Sequence, residues 1–280
     1  MNLSEVKFLL KKYHFSPNKI RGQNFLISDD PLQEMIKTAN IKKEDLILEV
    51  GAGLGALTTE LIKRSQKVVA FEVEKNFRPL LQNLTQVNHN LRIVWQNILS
   101  LSDQQLKDIL IKEKASVYKI VANIPYYLTA KFIRQFILTR HKPQSMTLMV
   151  QKEVAERITV KNKKHSLLSL SVALYAQSKL VRIIAKDNFY PSPKVDSAII
   201  YIYDIHSWNY SIEERKFWQL VHRGFASKRK KLFNNLLTDQ DLTKEKLNLA
   251  FAKINLDKNI RAEDLTVSNW LQLIYYLERH

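Results

Sequence analysis

The segment Asn123-Ile124-Pro125-Tyr126 combines an amide side chain, a proline and an aromatic ring in four consecutive positions. That set suits methyl transfer to the exocyclic amine of adenine, a poor nucleophile because its lone pair is delocalised into the ring. The Asn123 side-chain oxygen and the Ile124 carbonyl are the natural acceptors for the two amine hydrogens. Accepting both favours a tetrahedral nitrogen with its lone pair aimed at a methyl donor. Pro125 stiffens the turn, and Tyr126 offers a face on which the base can stack. No general base is needed, since the nitrogen becomes strongly acidic once methylated. Asn and Pro also serve in ordinary turns, so position must decide.

Upstream, Glu49-Val50-Gly51-Ala52-Gly53-Leu54-Gly55 holds three of the chain's five glycines. It falls between a predicted strand and a predicted helix, where glycines let the backbone turn sharply and present N–H groups to a ligand near the positive end of the helix. Glu72 closes the next predicted strand, where a carboxylate can accept both hydroxyls of a ribose. The pattern suits a dinucleotide cofactor or S-adenosylmethionine. The dinucleotide fingerprint wants Gly or Ala two places beyond Gly55, and Leu57 stands there instead.

These groups need a scaffold. Short apolar runs at Leu46–Val50, Val68–Glu72, Arg92–Trp95, Lys119–Ala122 and Met146–Val150 read as strands. They alternate with amphipathic helical patterns at Leu57–Lys63, Phe77–Leu84, Leu106–Ile111 and Ala130–Leu138. Such alternation predicts an α/β fold with a doubly wound, mostly parallel sheet. Lys152–Ile158 and Leu167–Gln177 read as helices, and Val181–Lys186 and Val195–Tyr203 as two strands joined by the proline-bearing loop Asn188–Lys194. An antiparallel addition at the sheet edge follows. From Ser211 onward only helical patterns remain, which places a boundary near 204–210. Residues 1–205 form one expected domain, opening with a basic segment over 1–29, and 206–280 form a small helical domain.

The 280 residues are 45% hydrophobic, enough for packed cores, and contain no cysteine. Disulfides, thiolate metal sites and cysteine nucleophiles are thereby excluded. The seven histidines lack the spacing of a ligand set, so no metal is expected. No stretch approaches the ~20 apolar residues needed to span a bilayer, and the first residues lack a signal-peptide block, so a cytoplasmic protein without membrane attachment is expected. A net charge of +17 points to a polyanionic partner, nucleic acid first and an acidic membrane surface second.

The chain resembles the KsgA family of ribosomal RNA small-subunit adenine dimethyltransferases from about Lys19 to Leu237. The matching motifs are Gly22-Gln23-Asn24-Phe25-Leu26, Glu49 to Gly55, Asn123 to Tyr126, Gln151 to Arg157 and Phe189-Tyr190-Pro191-Ser192-Pro193-Lys194-Val195-Asp196-Ser197. The resemblance implies a Rossmann-like class I methyltransferase with a small all-helical C-terminal domain. It implies S-adenosylmethionine contacts at Gln23, Asn24, Leu26, Gly51, Gly53, Glu72, Val73 and Asn123. It also assigns a contact with the cofactor's adenine to the position after the third strand, usually aspartate. Gln96-Asn97 stands there; Asn97 keeps a carbonyl acceptor but loses the charge. Phe189 matches the aromatic that lines the target-base pocket opposite Tyr126.

Between Glu214 and Asp239 lie seven Lys or Arg residues and no acid. Arg223 and the run Lys228-Arg229-Lys230-Lys231 read as a phosphate-binding helix. Lys11, Lys12, Lys19 and Arg21 form a second basic cluster, and the two suggest a channel for structured RNA. The expected activity is dimethylation of N6 on two adjacent adenines of the 3′-terminal hairpin of small-subunit rRNA, by a monomer acting on the small ribosomal subunit during its biogenesis. The related large-subunit adenine methyltransferase of macrolide resistance is the alternative enzyme. A ribosome-assembly factor acting mainly by RNA binding is the alternative of a different class.

Overall fold

The N-terminal helix α1 (Leu3–Lys12) opens on a capping box: the Asn2 side chain accepts from the Glu5 N–H at 3.0 Å, and Glu5 accepts from the Asn2 N–H at 2.7 Å. Val6 and Leu10 bury its inner face. A computed structural model describes this helix and the rest of residues 1–18, 22–160, 164–239 and 241–279. The chain divides into two units, Met1–Ala155 with Ala176–Ile205, and Glu156–Tyr175 with His206–His280.

In the first unit, β1 (Phe25–Leu26) and α2 (Asp29–Ala39) precede the central sheet. Five strands of that sheet are β2 (Leu46–Val50), β3 (Lys67–Phe71), β4 (Leu91–Val94), β5 (Lys119–Asn123) and β6 (Ser145–Gln151), parallel in the order β4-β3-β2-β5-β6. β2 is buried at every position, as expected of a parallel strand covered on both faces. The connecting helices are α3 (Ala56–Ile62), α4 (Arg78–Val87), α5 (Asp103–Lys112) and α6 (Thr129–Leu138), all close to the predicted segments. The chain builds the sheet outward from β2 through β3 to β4, then returns to place β5 on the other side. That reversal leaves a crevice at the carboxyl ends of β2 and β5.

After β6 come α7 (Lys152–Ile158), α8 (Leu167–Tyr175), β7 (Gln177–Ile184), β8 (Phe189–Tyr190) and β9 (Ser197–Tyr203). β9 runs antiparallel between β6 and β7 and completes a seven-stranded sheet. The antiparallel edge was expected, but β7 begins four residues before the predicted Val181, with its pairing to β9 slipping between Leu180 and Arg182. β8 leaves this sheet to pair with β1, Leu26 opposite Phe189 and Phe25 opposite Tyr190.

The second unit is helical: α8 joins α9 (Glu214–Gly224), α10 (Leu232–Leu236), α11 (Lys244–Lys253) and α12 (Val267–Arg279). The division into units also falls at 205/206, but residues 156–175, which the sequence reading kept in the first domain, group with the C-terminal helices. The physical reason is burial on nearly all sides of α8, from Ser169 to Tyr175. The Tyr175 hydroxyl also donates to Glu214 at 2.5 Å and accepts from the Trp218 indole at 3.1 Å, tying α8 to α9. Gly224 sits where a Cβ would run into the Trp270 ring and come within 2.9 Å of Leu232 Cδ1. Close helix packing, and not phosphate binding, accounts for this glycine.

Candidate active site

The carboxyl ends of β2, β3 and β5 lie side by side, with Val50 opposite Phe71 and Glu49 opposite Val121. The glycine loop, Glu72 and Asn123 are therefore brought to one cleft of about 240 Å³. Gly51 extends the strand pairing by donating to the Phe71 carbonyl at 2.8 Å, and Gly55 closes the turn into α3 by donating to Ala52 at 2.8 Å. Gly53 has a φ of +52°, and a Cβ there would lie 3.4 Å from the Phe25 ring. A side chain would be strained at this backbone angle.

Glu72 organises the loop. Its Oε2 accepts from the Gly53 N–H at 2.8 Å, and its Oε1 accepts from the Val73 and Glu74 N–H groups, both at 2.7 Å. Burial raises the pKa of this carboxyl, and the three backbone hydrogen bonds counter part of that rise. A carboxylate offers about four acceptor positions, so one remains on Oε2 for a ligand hydroxyl. Val73, beside it, is 60% exposed, an apolar surface on the cleft wall. Asn97 also lines the cleft, but its side-chain oxygen caps a 3-10 turn by accepting from the Leu99 N–H at 3.0 Å. These residues fit an adenosine-type cofactor: a carboxylate for a ribose, an apolar rim for a base and an amide beside it.

Glu49 lies beneath the loop and is 1% exposed. Neither of its oxygens has a hydrogen-bond partner among the described residues. Burial pushes its pKa up to about 8; nearby Thr58 counters part of the rise without reaching hydrogen-bond geometry, and Glu72 adds to it.

The opposite wall is the turn after β5. Ile124 is buried and donates its N–H to the Met149 carbonyl at 3.2 Å, continuing the strand. Pro125 then caps a 3-10 turn, Tyr126–Leu128, and its carbonyl accepts from the Leu128 N–H at 2.9 Å. The half-buried Tyr126 pairs its hydroxyl with that of the fully buried Ser197 at 2.8 Å. Burial raises the Tyr126 pKa, with Ser197 opposing. A Cβ on Gly22 would lie 3.5 Å from the Tyr126 amide nitrogen, so the segment before β1 closes over this turn. Within it, Gln23 accepts from the Asn18 N–H at 2.8 Å and Asn24 donates to the Gly22 carbonyl at 3.3 Å.

Of the residues singled out from sequence, Gln23, Asn24, Leu26, Gly51, Gly53, Glu72, Val73, Asn97 and Asn123 through Tyr126 all line this one cleft. Phe189 lies apart from them. It is 3% exposed, packs in the apolar core with Phe25 and Leu26, and is absent from the cleft wall. Its backbone pairing with Leu26 at β8 takes it into the core. Sequence reading missed the ring cluster of Phe15, Phe25 and Phe77, with centroids 4.5 to 6.2 Å apart, which backs the glycine loop. It also missed Tyr127, which lines the cleft and is 64% exposed.

The basic segment differs from the expected helix. Lys228, Arg229, Lys230 and Lys231 lie between α9 and α10, and all four are exposed. Lys231 donates to Asn259 at 2.6 Å, and Arg223 is ion-paired with Asp239. Of the N-terminal cluster, Lys11 and Lys12 are exposed at the end of α1, and Lys19 and Arg21 lie outside the described residues.

A family model described as "Ribosomal RNA adenine dimethylase" matches residues 14–279. The chain is 35% identical to the ribosomal RNA small subunit methyltransferase A of Dehalococcoides mccartyi strain CBDB1 over 274 residues, covering 97% of this chain and 92% of that protein. It is 36% identical to the protein of that name from Ureaplasma parvum serovar 3, covering all of both. Among solved structures, the 23S rRNA methyltransferase ErmE superposes with a TM-score of 0.71 at 20% identity, over 91% of this chain and all of that one. A dimethyladenosine transferase from Plasmodium falciparum superposes with a TM-score of 0.67 at 22% identity, over 89% of this chain and 95% of that one. At such identity the two structures speak for the fold.

Proposed function

The chain belongs to the ribosomal RNA adenine dimethylase family, and from that membership we propose how its cleft dimethylates N6 of two adjacent adenines in the 3′-terminal hairpin of small-subunit (16S) rRNA. It is an S-adenosylmethionine-dependent rRNA adenine dimethyltransferase with a class I methyltransferase fold. The observation that carries the proposal is the convergence of Glu72 and the Asn123–Tyr126 turn on one cleft. The small-subunit reading is favoured over a large-subunit one because relatives matched over nearly their full length carry the small-subunit name.

When bound, S-adenosylmethionine supplies the methyl group. Glu72 accepts a ribose hydroxyl at its remaining Oε2 position, Gly51 and Gly53 let the backbone approach, and Gln23, Asn24 and Leu26 close the cleft from above. Val73 packs on the cofactor's adenine, and Asn97 meets the edge of that adenine. On the substrate side, the Asn123 side-chain oxygen and the Ile124 carbonyl accept the two amine hydrogens and hold the nitrogen lone pair toward the donor. Pro125 keeps these acceptors fixed. Tyr126 stacks on the extruded base, which offsets part of the cost of extrusion, with base–aromatic stacking contributing ~1–3 kcal/mol.

Lys228, Arg229 and Lys230 supply phosphate contacts that position the RNA without reading its sequence. Arg223 and Lys231 contribute after exchanging their present partners, Asp239 and Asn259. The enzyme acts as a monomer on the small ribosomal subunit in the cytoplasm. Among the described residues, no helix is long and apolar enough to cross a membrane. Labelled cofactor supplied with either unmethylated small-subunit particles or protein-free large-subunit rRNA tests the substrate. Label entering the particles supports the proposal; label entering only the large-subunit RNA overturns it.

A further inference from the structure

Tyr126 and Tyr127 are consecutive on one 3-10 turn, where successive side chains diverge by about 120°. The Tyr126 ring is half-buried and anchored through Ser197. Tyr127 points the other way, 64% exposed on the cleft wall. Its backbone is nonetheless held firmly: Leu128 donates to Pro125 at 2.9 Å, and both the amide and the hydroxyl of buried Thr129 donate to the Tyr126 carbonyl, the hydroxyl at 3.1 Å. A large ring left in water on a fixed turn forgoes the stabilisation of apolar burial. Its π-face is available to any base, because base–aromatic stacking needs no particular hydrogen-bonding edge. A nucleotide whose base enters the cleft brings its chain neighbour to the mouth, within reach of this ring.

We propose that Tyr127 stacks the adenine next to the one held against Tyr126, so that two consecutive tyrosines hold two consecutive bases. The inference rests on the reading of two adjacent adenines as substrate. Under it, Tyr126 takes the base that receives the methyl group and Tyr127 holds the second base ready at the mouth.

Small-subunit particles with 2-aminopurine in place of one of the two adenines test this. 2-Aminopurine lacks the N6 amine, so the remaining adenine is the methyl acceptor and the probe reports stacking of its neighbour. Quenching on binding of the full-length enzyme is expected, with loss in Tyr127→Ala and retention in Tyr127→Phe. Particle affinity should fall about tenfold in Tyr127→Ala, as expected for one lost stacking contact, and S-adenosylmethionine affinity should not change. Equal quenching by Tyr127→Ala and the unaltered enzyme overturns the proposal, as does loss of cofactor binding in that variant. Methylation of the remaining adenine without quenching overturns the stacking role alone. Absence of both methylation and quenching overturns the adjacent-adenine reading as well.

Discussion

The hydroxyls of Tyr126 and Ser197 meet at 2.8 Å, joining the turn after β5 to the first residue of β9. Ser197 is fully buried, so this bond fixes the tyrosine from behind while its ring borders the cleft. A buried hydrogen bond of this kind contributes ~1 kcal/mol net. Ser197→Ala should therefore lower kcat/KM about three- to tenfold. Tyr126→Phe should lose a similar amount, and the double variant should be little worse than either single one. Steady-state kinetics on small-subunit particles checks this; fully additive losses would show that the two hydroxyls act separately.

Glu72 accepts three backbone N–H groups, from Gly53, Val73 and Glu74. Glu72→Gln replaces one acceptor oxygen by a donor that faces those same N–H groups. Hydrogen bonds to a charged group contribute ~1.5–3 kcal/mol, so S-adenosylmethionine binding should weaken roughly 10- to 100-fold. Calorimetric titration measures it, and unchanged affinity would remove Glu72 from the cofactor site.

Glu49 makes stability depend on pH. Its carboxyl is raised from 4.5 to about 8 in the folded chain, so the folded state holds a proton that the unfolded state releases above the lower value. The associated stability is fully present below pH 4.5 and is lost as pH rises to about 8, with a slope of at most ~1.4 kcal/mol per pH unit. Glu49→Gln should flatten this dependence. Urea midpoints measured from pH 5 to 9 test it, and identical pH profiles for the two proteins would contradict it.

The parallel sheet was legible because its strands, all but the edge strand β4, are largely buried apolar runs bounded by turn residues, as at Leu46–Val50 before the glycine loop. The convergence of the glycine loop and Glu72 on one cleft was legible for a related reason: Gly53 and Glu72 are types that their positions require. The burial of Phe189 was not legible because the pairing that turns it inward, β1 with β8, is two residues long and has no periodicity to announce it. The same short pairing hides the contact between Phe25 and Gly53. Ser197 lay within a quoted motif, yet only the antiparallel placement of β9 beside β6 brings it to Tyr126. The basic run Lys228–Lys231 has helical company on both sides, but the chain passes between α9 and α10 there. Charge was readable at those positions, and conformation was not.

Gly224 offers a test of the second unit by itself. A methyl group at this position would meet the Trp270 ring and Leu232, and overpacking of a filled core costs ~1–3 kcal/mol. Gly224→Ala should lower the urea midpoint accordingly and leave S-adenosylmethionine affinity unchanged. Unaltered stability would mean that α9 and α12 have room to part.

In the proposed mechanism Asn123 orients the acceptor amine and contributes little to holding the RNA. Methyl transfer to small-subunit particles by Asn123→Ala, measured alongside particle binding by the same protein, tests it most directly. Loss of transfer by at least ~100-fold is expected, as for removal of an oriented transition-state contact, with particle affinity nearly unchanged. Loss of particle binding in step with activity, or transfer at the unaltered rate, would contradict it.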